Sequence, residues 1–349
     1  DTAGNAIASA IVSASSGSVT LDNTHPSISS VTFDSGDYVN NVEDENAINL
    51  AVQTSGVENG ETVTATLNAA TYTCPITSNA CTISITSNGL KALTDGTSYT
   101  FSIAVSDTAG NAAPTDTSES FTYDTTAPTV AITVSGATNG AYGVAATYVV
   151  TVTPSESLSA VPTLSITGGA ITTAGALSGS NYVYTITPTD ADEAMSLSVA
   201  VNGATDAVGN TNSVASDSGS PFTWTHDATD PTITITAAEA NTGDTDNDAT
   251  LALTFTLSEA ATDFAYVDIS VSGGALSNFA TPSSTVYTAT FTPTAGATAA
   301  TTIDVAVDKF TDAAGNDNTA ATQFVYNSDL TAPTVAITVS GATNGAYGV

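Results

Sequence analysis

Arginine is absent from this 349-residue chain, and lysine occurs only twice, at Lys91 and Lys309. Binding a nucleic acid requires clustered Lys and Arg to displace its counterions, so nucleic acid is excluded as a partner. An anionic membrane surface is disfavoured on the same ground. There are two histidines, His25 and His226, and a single tryptophan, Trp224. With so few bases, no His stands in a plausible relation to a serine nucleophile. Glycine turns such as GNAAPTD lack the lysine of a phosphate loop, and paired carboxylates that could hydrolyse glycans need a cleft that the sequence does not reveal. We expect no catalytic residue and no enzyme activity. No run of 18 or more uninterrupted apolar residues exists, so this segment is expected not to insert in a membrane. A charged-then-apolar leader is also missing from its start and is expected elsewhere in the gene. No Asn-x-Ser/Thr sequon occurs, so N-linked glycan is not expected.

Against the two lysines stand 34 aspartates and glutamates, for a net charge of -32. Carboxylates in such excess repel one another unless cations sit between them, which implies either a salty medium or bound divalent metal, the more specific possibility. The only cysteines, Cys74 and Cys81, lie in TYTCPITSNACTISI, where β-branched residues flank a Pro-containing polar turn. That pattern reads as a hairpin closed by a disulfide. A zinc half-site is the rival, but no His or further Cys accompanies the pair. A disulfide places the chain outside the cytosol.

The chain is repetitive. An Asp four residues before a Pro recurs in DNTHP from Asp22, DTTAP from Asp124, DATDP from Asp227 and DLTAP from Asp329, at spacings of 124 - 22 = 102, 227 - 124 = 103 and 329 - 227 = 102. A second motif, DTAGN, stands at Asp1 and Asp107, with close copies DAVGN at Asp206 and DAAGN at Asp312. TAPTVAITVSGATNGAYGV at Thr126 to Val144 recurs letter for letter at Thr331 to Val349, an offset of 331 - 126 = 205. This offset is two units, the mark of a duplicated two-domain block, and the chain reads as a window cut from a longer array.

Within each unit, short alternating strands are separated by Gly, Asn, Asp and Ser turns, and helical periodicity is absent. Seven strands are expected in the first complete unit, near 28 to 34, 46 to 54, 61 to 68, 70 to 74, 81 to 86, 97 to 106 and 119 to 123. Seven short strands in about a hundred residues make an immunoglobulin-like sandwich. The fold class is thus all-β, with tandem seven-stranded immunoglobulin-like β-sandwich domains in an extended rod. The expected boundaries are 1–22 for the end of one domain, then 23–123, 124–226 and 227–328 for three domains, and 329–349 for the start of a further one. Trp224 lies near the end of its unit and the cysteines are local, so the likeness is to the sandwich architecture and not to antibody domains.

The pairing of D-x-x-G-N before the last strand with D-x-T-A-P after it, repeated in an acidic, Thr-rich chain, resembles the bacterial Ig-like repeats of giant surface adhesins and biofilm-associated proteins. The resemblance covers the whole chain, although Thr-Ala-Pro becomes THP at Thr24 and TDP at Thr229. It implies an extracellular, rod-forming extender region, at the cell surface, whose domain junctions hold Ca²⁺.

In a seven-stranded sandwich the turn before the last strand lies at the end where the chain comes in. Asp107 and Asn111 are therefore expected near Asp22, Asp206 and Asn210 near Asp124, and Asp312 and Asn316 near Asp227 and Asp230, with Asp329 opening the following junction. Acidic turns at the other end of the preceding domain face the same junction. Asp95, with Asp37, Glu43 and Asp44, is expected to approach Asp124, and Asp190, with Asp192 and Glu193, to approach Asp227. Calcium takes six to eight oxygens at about 2.3 to 2.6 Å in irregular geometry, which three short segments from two domains can supply. The competing reading is that Asp and Asn followed by Gly are ordinary turn residues.

The segment ANTGDTDNDATL, residues 240–251, alternates Asp244, Asp246 and Asp248 but lacks the Gly and Glu of an EF-hand and has no flanking helices. It reads as an acidic turn, with a metal beside Asp329 as the alternative. The glycine-rich nonapeptide of calcium β-rolls is absent. His25 and His226 read as solvated linker residues, with transition-metal ligands or pH sensors as the alternative. The expected function is an extender rigidified by calcium, whose partners are the neighbouring Ig-like domains. One alternative is a subunit of a self-assembling extracellular filament, sheath or surface layer in which identical chains pack. A weaker one is a carbohydrate-binding module, for which the Tyr and Phe residues lie mostly in strand patterns rather than exposed.

Overall fold

The computed structural model describes residues 21–212, 221–239, 242, 245–246, 249–295, 300–329, 331–338 and 340. The DTAGN copy at Asp1, the acidic residues Asp244 and Asp248 with the side chain of Asp246, and most of the repeated stretch at 331–349 lie outside the described residues. Strict alternation builds the strands: in INLAVQTS, Ile48, Leu50, Val52 and Thr54 are buried while the residues between them face outward or stand half-buried. Burying one such Leu or Val side chain is worth about 1.5 to 3 kcal/mol.

The chain splits into two compact units, one drawn from residues 1–129, 154–162 and 201–214 and the other from 130–153, 163–200 and 215–349. The first unit holds nine strands: β1 (Ser27–Phe33), β2 (Tyr38–Val39), β3 (Ile48–Ser55), β4 (Thr62–Leu67), β5 (Ala70–Pro75), β6 (Ala80–Ile85), β7 (Thr97–Thr100), β8 (Ser102–Ala104) and β9 (Ser120–Tyr123). They pair as β1-β3-β6, β2-β9-β7 and β5-β4-β8. The expected strand at 97–106 is divided at Phe101, so that β7 pairs with β9 and β8 with β4. Phe33 of β1 stacks against Phe101 and Phe121, with ring centroids 5.1 and 4.9 Å apart, which closes the core between layers.

The second unit holds two further sets of strands. One comprises β10 (Val130–Ser135), β11 (Tyr142–Gly143), β12 (Tyr148–Pro154), β13 (Leu164–Thr167), β14 (Gly169–Ser178), β15 (Asn181–Pro188), β16 (Asp192–Val199) and β17 (Phe222–Asp227). The other comprises β18 (Ile233–Ala237), β19 (Thr245–Asp246), β20 (Leu251–Leu257), β21 (Ile269–Val271), β22 (Gly274–Ala280), β23 (Val286–Pro293), β24 (Ala300–Val305) and β25 (Phe324–Ser328). Their sheets repeat one topology, β10-β12-β15-β14 over β11-β17-β16-β13 and β18-β20-β23-β22 over β19-β25-β24-β21. This is the ABED and CFG arrangement of an immunoglobulin sandwich with one added two-residue strand that pairs in parallel with the last strand. Tyr148 meets Trp224 edge-on at 5.2 Å across the first of these cores.

The extra two-residue strand and the split β7–β8 are where the structure exceeds the seven strands expected. The first unit also differs in that its fourth long strand, β5, pairs with β4, whereas β14 and β22 pair with β15 and β23. The disulfide between Cys74 on β5 and Cys81 on β6, with Cα atoms 5.9 Å apart, therefore ties two sheets together at that edge. Among the described residues no helix is long and apolar enough to cross a membrane.

Candidate metal centres

The Asp-x-x-Gly-Asn turns are shaped by local bonds, alike at Asp206 and Asp312, while at Asp107 Oδ1 accepts the Asn111 N–H at 2.8 Å and the Gly110 N–H goes to the Asp107 carbonyl. In the turn at Asp206, the Oδ1 atom accepts the backbone N–H groups of Val208, Gly209 and Asn210 at 2.7 to 2.9 Å, and the turn at Asp312 does the same with Ala314, Gly315 and Asn316. The turn requires a positive φ at the fourth position, +89° at Gly110, +100° at Gly209 and +95° at Gly315, which only glycine adopts without strain. The fifth residue returns the bond: the side-chain NH₂ groups of Asn111, Asn210 and Asn316 donate to the Oδ2 atoms of Asp107, Asp206 and Asp312 at 2.8 to 2.9 Å. The same groups reach the incoming linker, donating to the backbone carbonyls of Asp22 at 3.3 Å, Asp124 at 2.9 Å and Asp227 at 3.0 Å. The motif's Asn is thus a clasp between turn and linker.

The linker Asp is held in its own way. Asp22, Asp124, Asp227 and Asp329 each accept, through Oδ1, the N–H of the Thr two residues on, at 2.9, 3.2, 3.3 and 3.1 Å. This Asx turn accounts for the Asp that opens DNT, DTT, DAT and DLT, while the hydroxyls of Thr126 and Thr229 bond Asp95 and Asp192.

Two clusters of three carboxylates result, Asp124 with Glu156 and Asp206, and Asp227 with Glu259 and Asp312, and in each the oxygens converge within 4.8 Å of one another. Each lies within one compact unit. Asp206 and Asp312 are buried, and the other four are half-buried. The glutamates follow Ser155 and Ser258, whose backbone and hydroxyl groups pair with Thr129 and Thr232, fixing Glu156 and Glu259 beside the linkers. No hydrogen bond among the described residues reaches either glutamate. Burial pushes the carboxyl groups of Glu156 and Glu259 above the usual range, and the neighbouring aspartates push them further. Burial likewise raises Asp124 and Asp227, opposed by the N–H groups of Thr126 and Thr229 and reinforced by their acidic neighbours. A half-buried carboxylate with no donor and two like neighbours is unfavourable as an anion, and a hard cation removes that penalty. The donors are all oxygens, without His or Cys, a set that suits a hard cation such as calcium better than zinc.

The glutamates are absent from the site expectations. The signal for them was the dipeptide Ser-Glu at 155–156 and 258–259, whose spacing, 259 - 156 = 103, equals that of the linkers, 227 - 124 = 103. In the first sandwich the same register position, opposite Pro26 and after Ser55, is Gly56. That position therefore adds no carboxylate to Asp22 and Asp107; Glu58 and Glu61 instead accept from the N–H and hydroxyl of Thr108 in the turn, at 3.1 and 3.0 Å, and no cluster of three converging carboxylates forms there among the described residues. The side chain of Asn111 holds the Asp107 carboxyl below its usual range, and His25 Nδ1 bonds the Ala112 carbonyl at 2.9 Å.

Among the remaining expected residues, Asp95 approaches the linker, accepting from Thr125 N at 2.6 Å and from the hydroxyls of Thr125 and Thr126, and these bonds lower its carboxyl pKa. Asp44 turns inward to the Tyr123 hydroxyl at 2.7 Å, and burial with that contact pushes the phenol up to about 12. Glu43 accepts the Asn40 N–H. At the second cluster, Asp192 bonds the Thr229 hydroxyl at 2.9 Å, while Asp190 and Asp230 are exposed and stand in neither cluster. Asp329 is exposed. His226 is buried, with Nδ1 against the Tyr148 hydroxyl at 2.8 Å and the Gly143 carbonyl at 3.1 Å, and is not the solvated linker residue expected.

A family model described as bacterial Ig-like domain matches residues 124–221 and 227–327, more than half of the chain. No match was found among curated proteins. Among solved structures, the chain is similar to one reported for the host cell surface retention of a 1.5-MDa bacterial ice-binding adhesin, at 19% identity and a TM-score of 0.41, covering 86% of this chain and 98% of that one. It is also similar to a Ca²⁺-stabilized adhesin that helps an Antarctic bacterium reach out and bind ice (19%, TM-score 0.36, 86% and 74% covered). A third is a tetra-tandem repeat in the extending region of a large adhesion protein (19%, TM-score 0.32, 86% and 74% covered).

Proposed function

The chain belongs to the bacterial Ig-like domain family, and from that premise we propose that it is an extracellular extender segment of a large adhesin, stiffened by calcium where one sandwich follows another. One observation carries this reading: two clusters of three carboxylates recur at the unit spacing, each joining a linker Asp, a strand-end Glu and the Asp of the next Asp-x-x-Gly-Asn turn, with no basic side chain in the set. Asp124, Glu156 and Asp206 would hold one ion and Asp227, Glu259 and Asp312 another, with Asp95 and Asp192 adding negative charge nearby. A bound cation would supply a positive centre whose attraction to all three carboxylates outweighs their mutual repulsion. The chain's own residues shape the site: Asn210 and Asn316 tie turn to linker, and the Asx turns set the linker Asp. We take the domains to run over 23–123, 124–226 and 227–328, with 1–22 and 329–349 belonging to flanking copies.

The extracellular assignment is supported by the Cys74–Cys81 disulfide. Domains of this kind are typically not enzymes, and the proposed role is mechanical. Calorimetric titration of the chelator-treated full chain with Ca²⁺ tests it. Binding of at least two ions is expected, with weaker response to Mg²⁺, which demands near-octahedral coordination and dehydrates reluctantly. Absence of any binding heat or thermal stabilisation at millimolar Ca²⁺ would remove the reading.

A further inference from the structure

We propose that the two clusters belong to junctions of unequal dependence on metal: beyond the Asn-to-linker bond that both turns make, the turn bearing Asp206 is latched to the preceding sandwich by two further bonds that need no ion, and the turn bearing Asp312 has no such latch. The inference rests on the calcium reading above. The latch is formed by Asn40 and Asn41, which directly follow β2. Asn40 Oδ1 accepts the N–H groups of Val42 and Glu43 at 3.0 Å, just ahead of and at the start of the short 3₁₀ turn Glu43–Glu45. That fixes the amide so that its Nδ2 donates to the Val208 carbonyl at 3.0 Å. The Asn41 N–H donates to Asn210 Oδ1 at 2.9 Å, completing a side chain whose NH₂ already holds Asp206 and the Asp124 carbonyl. Asn210 is fully buried as a result. The packing is close enough that a Cβ on Gly209 would stand 3.1 Å from Asn40 Nδ2.

The corresponding place after β11 is taken by Val144, 47% exposed and without an amide to donate. No hydrogen bond joins residues 139–147 to residues 312–316, all of them described, and a Cβ on Gly315 would meet nothing within 4 Å. The two turns are built alike internally, so the difference lies wholly in what faces them. Loss of calcium then releases the turn at Asp312 while the turn at Asp206 stays docked, and a row of such domains yields at alternate points.

The test uses the full chain with spin-label pairs on exposed, equivalent residues, Tyr38 with Ala207 and Tyr142 with Ala313, and measures distance distributions by pulsed electron resonance. In Ca²⁺ both distributions are narrow. In EGTA the Tyr38–Ala207 distribution keeps its width and the Tyr142–Ala313 distribution broadens. Asn40→Asp keeps an acceptor oxygen for the following N–H groups but removes the donor to Val208, and Asn40→Ser does the same without adding charge. Each is expected to raise the undocked population at Tyr38–Ala207 in EGTA about fivefold, the factor for one neutral hydrogen bond. Equal broadening of both pairs in EGTA, or no effect of either Asn40 variant, would overturn the latch while leaving the calcium reading in place. A Tyr142–Ala313 pair indifferent to EGTA would overturn both.

Discussion

Glu259→Gln is expected to stabilise the metal-free chain and to weaken its response to calcium. Glu259 has no hydrogen-bond donor, and its carboxylate lies within 4.8 Å of those of Asp227 and Asp312. Two unit charges at that separation repel by about 1 kcal/mol at the dielectric constant of water and about 3.5 kcal/mol at an effective value of 20. Half-burial puts the cluster between these limits, and a distance shorter than the Debye length leaves salt little room to screen. The isosteric amide removes two of the three repulsions, so in EGTA the variant gains about 2 kcal/mol, on the order of 8 °C or more for a domain of this size. With calcium the same change removes a ligand. Wild type at a hundredfold excess over Kd gains about 2.7 kcal/mol from the ion, and a tenfold weaker site gains about 1.4, roughly halving the calcium-induced shift. Scanning calorimetry of both proteins in EGTA and in Ca²⁺ reads this directly. If Glu259→Gln melts no higher than wild type in EGTA, or shows an undiminished calcium shift, the cluster is neither a site of repulsion nor a ligand set.

Two further outcomes follow from the same structure. Because the carboxyl pKa values of Asp124, Glu156, Asp227 and Glu259 are raised on folding, their contribution to stability is fully present below the ordinary carboxylate range and is lost as pH rises through the raised values. The lowered Asp95 acts oppositely, losing its contribution as pH falls through its folded value. Asp95 and Asp107, the lowered groups, both belong to the first unit, whereas Asp227 and Glu259 of the second are raised; the metal-free transition of the second unit should therefore rise as pH falls into the raised carboxyl range, while calcium stabilisation shrinks as protons displace the ion, and a second-unit transition in EGTA that falls steadily with pH would contradict this. Reducing the Cys74–Cys81 bond, which spans a sequence separation of 7, should destabilise the first sandwich by about 2.5 kcal/mol on the chain-entropy estimate and leave the transitions of the second unit in place, as reductant-dependent calorimetry can show.

Much of the fold was legible because strand alternation is local. INLAVQTS announces its own buried face. The linker and the Asp-x-x-Gly-Asn turn were legible because each carries its hydrogen bonds within five residues, so letters and geometry correspond one to one. Glu156 and Glu259 were harder: they act from strand ends about thirty residues past the linker, in a dipeptide with no turn chemistry of its own, and only their shared spacing marks them. Asp190 and Asp192 illustrate a register limit, since two acids two residues apart are equal in sequence until pairing of β16 with β17 sets Asp192 opposite Asp227. The burial of His226 follows from a long-range partner, Tyr148, that no local pattern discloses. Pairing of β5 with β4, in place of the pairing seen for β14 and β22, is likewise a choice made between edges and not within a strand.

The central claim, that calcium at the two clusters stiffens the succession of sandwiches, is tested most directly by small-angle X-ray scattering of the full chain in Ca²⁺, after EGTA, and after calcium is restored. The account predicts a larger maximum dimension and a narrower distribution of conformations with calcium, lost in chelator and recovered on its return. Superimposable profiles in all three states, from protein that binds the ion, would contradict it.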